Sequence, residues 1–225
     1  MSLKIVAISD THSYHRQLVI PDGDVLVHAG DLTFKGELSV IEDFADWIKA
    51  LPHKHKVVIF GNHELGFQYG PKRPKAIKMI EDAGAIYLED SATMIDGIKF
   101  YGSPVQPFFH NWEFNYQRGK DIAAVWAKIP TDTNILITHG PPYMILDGVP
   151  KPTAFVDEGV VYEHVGCKDL LERIADLPHL KAHIFGHIHA GYGTVQVGPT
   201  TMINAASCTE GYAASNPPIV FEVNP

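Results

Sequence analysis

Short apolar runs, each ending abruptly in polar residues, set the rhythm of the chain. Leu3 to Ile8 leads into Asp10 and His12, Val25 to Ala29 into Gly30 and Asp31, and Lys56 to Phe60 into Asn62, His63 and Glu64. Asn134 to Thr138 then ends at His139, and Lys181 to Phe185 at His187 and His189. Runs of this length that are apolar on both faces predict strands of a covered sheet. In such sheets, ligands collect beyond the carboxyl ends of the strands. Asp10 and His12 stand two residues apart, so extended backbone would point both to one side.

Between these runs the period changes. Leu38, Ile41, Phe44, Ala45, Trp47 and Ile48 fall at helical spacing, with Pro52 as the stop. Further helices are predicted over residues 75–83, 120–129 and 167–177. Asp96-Gly97 between short apolar runs is a hairpin signal. Residues 85–88, 194–197, 200–203 and 219–223 read as additional strands. The alternation gives an α/β fold that turns toward antiparallel pairing in its second half. Ser103 to Gly119 is aromatic-rich without a period, and Pro141 to Gly166 is long and irregular, as functional loops often are.

With 225 residues, 45% of them hydrophobic, the chain is long enough for one domain over 1–225, and no repeat or linker divides it. The formal charge of −8 argues against extended nucleic-acid binding, which draws on a broad Lys and Arg surface. Cys167 and Cys208 lack the spacing of a zinc knuckle or a disulfide scaffold and read as core residues. No signal-like amino terminus and no membrane-length apolar run is present, which predicts a soluble, cytoplasmic protein.

Asp10, His12, Asp31, Asn62, His139, His187 and His189 offer mixed oxygen and imidazole donors, too many for one tetrahedral ion and suited to two. Asp31 is the candidate bridging carboxylate. Donors of this kind suit Mn²⁺, the preferred choice, or Fe, Zn²⁺, Co²⁺ or Ni²⁺. Of the remaining histidines, His28 and His183 sit inside strands and read as packing residues. His53 and His55 read as solvated, and His15 and His110 remain as possible neighbours of the site.

The set Asp10-x-His12, Gly30-Asp31, Gly61-Asn62-His63-Glu64, His139-Gly140-Pro141-Pro142 and Gly186-His187-x-His189 resembles, in order, the five motifs of the calcineurin-like metallophosphoesterases. Tyr101-Gly-Ser-Pro, Thr138-His-Gly-Pro-Pro and Ile203-Asn-Ala-Ala-Ser-Cys are similar to the metallophosphoesterase-domain-containing branch. Some relatives in that branch lack the first histidine of the last motif, whereas His187 is present here.

The resemblance implies a four-layer αββα sandwich of two mixed β-sheets flanked by helices. It implies one metal on Asp10, His12, Asp31 and His189, and a second on Asp31, Asn62, His139 and His187. A hydroxide shared by the two ions would attack phosphorus in line, while His63, a non-ligand, serves the departing oxygen. The stretch after Asp31 reads Leu-Thr-Phe-Lys-Gly rather than the Val-Asp-Arg-Gly of Ser/Thr protein phosphatases, so a phosphoprotein substrate is not expected. A small phosphodiester, such as a linear or cyclic nucleotide, is preferred, with Trp112, Phe108, His110, Phe109, Phe114 or Tyr116 available to meet a base. The simpler reading, which takes precedence, is that these aromatics only pack a loop onto the second sheet. The rival reading is a regulatory or scaffolding protein that keeps the fold with little turnover, although every motif position is filled. A metal-dependent amidohydrolase would carry His-x-His on the first strand, where this chain has Asp-x-His.

Overall fold

The computed structural model describes residues 2–151 and 161–224, so part of the long segment before Gly166 lies outside the described residues. Alternation within each strand separates the layers. In β1 (Leu3–Ile8), Leu3, Ile5 and Ala7 face one apolar cluster, while Val6 and Ile8 face another. Strands β2 (Val25–Ala29) and β3 (His55–Ile59) divide the same way, as period-two geometry requires when both faces are covered. Helices α1 (Leu38–Ala50) and α2 (Arg73–Asp82) close the outer side through Ile41, Phe44, Ile48, Ala76 and Ile80. Strand β4 is only Ile86–Tyr87 and pairs parallel with β3.

The chain then builds a second sheet. β5 (Ser91–Ile95) and β6 (Ile98–Ser103) form the hairpin, and Asp96 and Gly97 turn it with φ of 47° and 84°. β7 (Gln106–Pro107) and β8 (Asn115–Tyr116) make a small side ribbon within the aromatic stretch. After α3 (Lys120–Trp126) comes β9 (Ile135–Thr138). The ribbon of β10 (Gly148–Pro150) and β11 (Tyr162–His164) was not legible in the sequence pattern. Then follow α4 (Lys168–Ala175), β12 (Ala182–Phe185), β13 (Gly193–Val197), β14 (Thr200–Asn204) and β15 (Ile219–Val223).

The sheets run β15-β1-β2-β3-β4 and β13-β14-β12-β9-β6-β5. Both are mixed: β15 is antiparallel to β1, and β5 and β13 are antiparallel edges on parallel neighbours. Their facing residues, among them Ile5, Val27 and Ile59 against Phe100, Ile137 and Ile184, form one buried cluster. Trp126, Ile122 and Val125 of α3, with Leu170 and Ile174 of α4, cover the far side of the second sheet. The fold is therefore the expected αββα sandwich. Cys167 and Cys208 are both buried and unpaired, as core residues should be. His53, expected in solvent, is instead buried, and its ring bonds the Pro21 carbonyl at 3.0 Å because the loop before β2 folds over it.

Candidate metal centre

The carboxyl ends of β1, β2 and β3 in one sheet meet those of β9 and β12 in the other. Within each sheet the ends are tied together, by Asp10 N–H to Gly30 O and by Gly186 N–H to His139 O, both at 2.9 Å, and Ser207 N–H to Ser9 O at 2.8 Å joins one sheet to the other. His139 adds a tie from β9 into the opposite sheet, its Nδ1 lying 3.0 Å from Ala29 O. The polar ends named in the sequence thus gather at one rim.

Extended backbone is not how the first two arrive. Strand β1 stops at Ile8, and Asp10 and His12 have φ of 51° and 42°. Asp31 and His187 also sit in the left-handed region, at 58° and 66°. Conformations that non-glycine residues avoid are held here by surrounding structure, as happens at functional sites. Gly186 shows how little room remains, since a Cβ there would lie 1.9 Å from Asp10 Oδ2.

The donors fall into three groups, and the middle one, His12, Asp31 and His63, shares a residue with each of the other two. Asp10, His12 and His189 offer atoms all within 4.8 Å of one another, and so do Asp31, His139 and His187. The imidazoles are aimed by carbonyls behind them. Nδ1 of His12, His139 and His189 lies 3.2, 3.0 and 2.9 Å from the carbonyls of Thr33, Ala29 and Thr209. Each Nδ1 donates there, so in the neutral ring Nε2 carries the lone pair. Nε2 of His12 and Nε2 of His189 stand 3.2 Å apart, so with both rings neutral two lone pairs face each other, a contact that a cation would relieve. Asn62 joins through Oδ1, 2.7 Å from His139 Nε2, while its buried Nδ2 has no partner. These donors fit a pair of divalent ions.

Asp31 is the hub. Its Oδ1 accepts the His63 N–H at 2.9 Å, and its Oδ2 lies 3.3, 3.8 and 4.0 Å from Nε2 of His139, His12 and His63. Burial opposes charge on this carboxyl, yet His139 beside it holds it well below the usual carboxylate range. Burial likewise opposes charge on Asp10, and His189 holds it low. His139 feels the converse: burial disfavours its proton, but Asp31 raises it to about 9. Burial lowers His12 to about 4 and His187 to about 3.

His63 occupies a different place. Its Nδ1 lies 2.9 Å from Phe34 O, and its ring is wedged between His12 and Trp112 with centroids 4.5 Å from each. It lines a cavity of about 490 Å³ together with Asp31, Asn62, His187 and His189. Phe108, Phe109, His110 and Trp112 form one wall, and Glu210 and Tyr212 also line the cavity. Asn115 shapes the aromatic wall by donating Nδ2 to the carbonyls of Phe109, His110 and Trp112. Phe114 turns the other way and is buried, and Tyr116 packs against the outer cluster of the second sheet, so neither meets the cavity. His15 is also elsewhere, on Asp43 beside Phe44 and Trp47.

Sequence reasoning missed Tyr212 and Arg118, which stand in no metal-ligand pattern. Tyr212 packs on His12 at 5.0 Å and on His189 at 5.4 Å. Arg118 lines the cavity while donating to Gly166 O at 2.7 Å and Val165 O at 2.5 Å. Glu64 was visible only as a motif letter. It is fully buried, and burial, then the charge of Asp31, push its carboxyl above the usual range, while the Thr33 and Gly61 N–H groups on its oxygens favour the ionised form.

A sandwich whose inner strands deliver paired His and Asp clusters to a shared rim defines the class of metal-dependent hydrolases suggested by the motifs. Residues 3–191 match the family described as calcineurin-like phosphoesterase. Metallophosphoesterase domain-containing protein 1 of Homo sapiens is 40% identical over 98% of this chain and 71% of its own length. A UPF0046 protein of Caenorhabditis elegans is likewise 40% identical, over 98% of this chain and 75% of its own. The crystal structure of TT1561 of Thermus thermophilus shares the fold, with a TM-score of 0.59 at 14% identity, covering 100% of this chain and 99% of that one. The chain belongs to the calcineurin-like metallophosphoesterases. Among the described residues, no helix is long and apolar enough to cross a membrane.

Proposed function

We propose that the chain is a phosphodiesterase acting on small diesters, linear or cyclic nucleotides foremost, with two divalent transition-metal ions, Mn²⁺ as the first choice. Asp10, His12, Asp31 and His189 would hold one ion, and Asp31, Asn62, His139 and His187 the other. The observation that carries the reading is the aim of the imidazoles: carbonyls behind Nδ1 of His12, His139 and His189 turn three Nε2 atoms onto the rim around Asp31. When bound, the ions supply Lewis acidity to the phosphoryl group and lower the pKa of water.

The chain's own groups do the rest. Asp31 Oδ2 is central enough to serve both subsites, while Oδ1 holds the loop that carries His63. With Nδ1 donating to the Phe34 carbonyl, His63 presents Nε2 toward the cavity, where its imidazolium form would give a proton to the departing oxygen. The aromatic wall takes the organic arm. Charge favours a diester over a monoester. Among the described lining residues Arg118 is the only Lys or Arg, and two of its nitrogens already donate to carbonyls, so a dianionic monoester finds little extra positive charge.

The test is a metal-reconstituted screen of monoesters, linear diesters and cyclic nucleotides, with Asp31→Asn as the blank. Diesters should turn over fastest. His63→Ala should keep its metals and lose about 10²–10⁴ in rate. Equal metal loss in Asp31→Asn and His63→Ala, or turnover confined to monoesters, would refute the assignment.

A further inference from the structure

Glu64 carries the one side chain of the Gly-Asn-His-Glu motif that the proposed chemistry leaves idle, and its surroundings are unusually specific. It is fully buried, yet its carboxylate accepts from donors on two separate loops. Oε2 takes Asp31 N–H at 3.1 Å and Gly61 N–H at 2.7 Å, and Oε1 takes Thr33 N–H at 2.9 Å and the Thr33 hydroxyl at 3.1 Å. The loop after β2 is thereby fastened to the loop after β3. The fastening is reciprocal, because Asp31 Oδ1 accepts His63 N–H across the same seam at 2.9 Å.

We propose that Glu64 is a positioning residue whose carboxylate sets the separation between the loop bearing Asp31 and the loop bearing Asn62 and His63, and so tunes the affinity of the metal pair. This rests on the metal-centre reading above. Glu64 need not touch an ion, because it acts on the main chain of the residues that do. Asp31 sits at φ 58°, so its side-chain direction depends on whatever holds that strained peptide, and Glu64 holds its N–H. A buried acceptor with four donors cannot be replaced by an isosteric amide without turning N–H groups against an NH₂ group. Partners one layer behind metal ligands commonly govern affinity by 10–100-fold.

Wild type, Glu64→Gln and Glu64→Asp, stripped with chelator, are titrated with Co²⁺ and followed by heat and by the visible absorption of the bound ion. Wild type should take up two ions. Glu64→Gln should keep its far-ultraviolet dichroism, bind Co²⁺ about 10–100-fold more weakly and show a shifted spectrum, while Glu64→Asp recovers part of the affinity. A folded Glu64→Gln with wild-type affinity and spectrum overturns the inference, whatever its melting temperature. If Glu64→Gln does not fold, Glu64→Asp decides: about tenfold weaker binding supports the role, and unchanged binding overturns it. Wild type that takes up no Co²⁺ defeats the metal-centre reading itself, an outcome distinct from a failure of Glu64 in a protein that loads normally.

Discussion

Asp10, His12, Asp31 and His187 leave their strands in left-handed backbone, so the site holds conformational strain as well as charge. For an L-residue that region costs about 1–2 kcal/mol, and glycine enters it freely. In chelator-treated protein, His187→Gly should therefore leave the urea midpoint level or raise stability by up to about 1 kcal/mol, while weakening metal binding. A fall of more than about 1 kcal/mol would mean that the ring, not the backbone, dominates at this position. His183 makes a different prediction. It is buried inside β12 with Nε2 2.7 Å from Thr138 Oγ1, and burial lowers it from the usual 6.5 to about 3. Between those values the unfolded chain binds a proton that the folded chain refuses, so stability falls as pH drops, by up to about 1.4 kcal/mol per pH unit. From about pH 7 to about pH 5, wild type should lose about 1–2 kcal/mol more than His183→Leu, and parallel urea midpoints would disprove it. The grouped side chains were legible because metal chemistry restricts which residue types can stand together at strand ends. The strain was not, because Asp and His, although enriched at positive φ, adopt it in only a minority of places, and the four bonds to Glu64 appear only once two loops are brought side by side.

At the scale of elements, the segment after β6 supplies the aromatic wall of the cavity. Its aromatics split by exposure: Phe108 and Phe109 are 52% and 47% exposed, whereas Phe114 is buried. Stacking on a base is worth about 1–3 kcal/mol, so Trp112→Ala should lower kcat/KM for a nucleotide diester about 5–100-fold more than for a methyl aryl diester. An equal loss on both substrates would leave Trp112 as a brace for His63 alone. The four helices were readable because each packs one stripe on a sheet, and apolar spacing reports that directly. Strand β4 was readable only roughly, since its two paired residues depend on β3 rather than on any period of their own. The side ribbons escaped notice for the same reason: Gln106 and Pro107 pair with Asn115 and Tyr116 because Asn115 organises the turn.

For the whole molecule, the sequence pattern announced buried strands but not how they divide into two sheets. That division rests on which faces meet, and it emerges from the shared cluster of Ile5, Val27, Phe100 and Ile137. Asp10, Asp31 and Asn62 follow strands of one sheet, and His139 and His187 follow strands of the other. Ions held there would cross-link the two sheets. At free metal about 100 times Kd the stabilisation is about 2.7 kcal/mol, so chelation should lower Tm by roughly 5–10 °C. An unchanged Tm would show that the rim holds no ion tightly enough to matter. The order of the donors along the chain, from Asp10 to His189, adds a consequence for synthesis. A polypeptide emerging from the ribosome carries the carboxylates and Asn62 long before the last imidazoles, so the complete nest forms only when the second sheet closes on the first. Capture of cations by the full donor set would thus report that the two sheets have closed on each other.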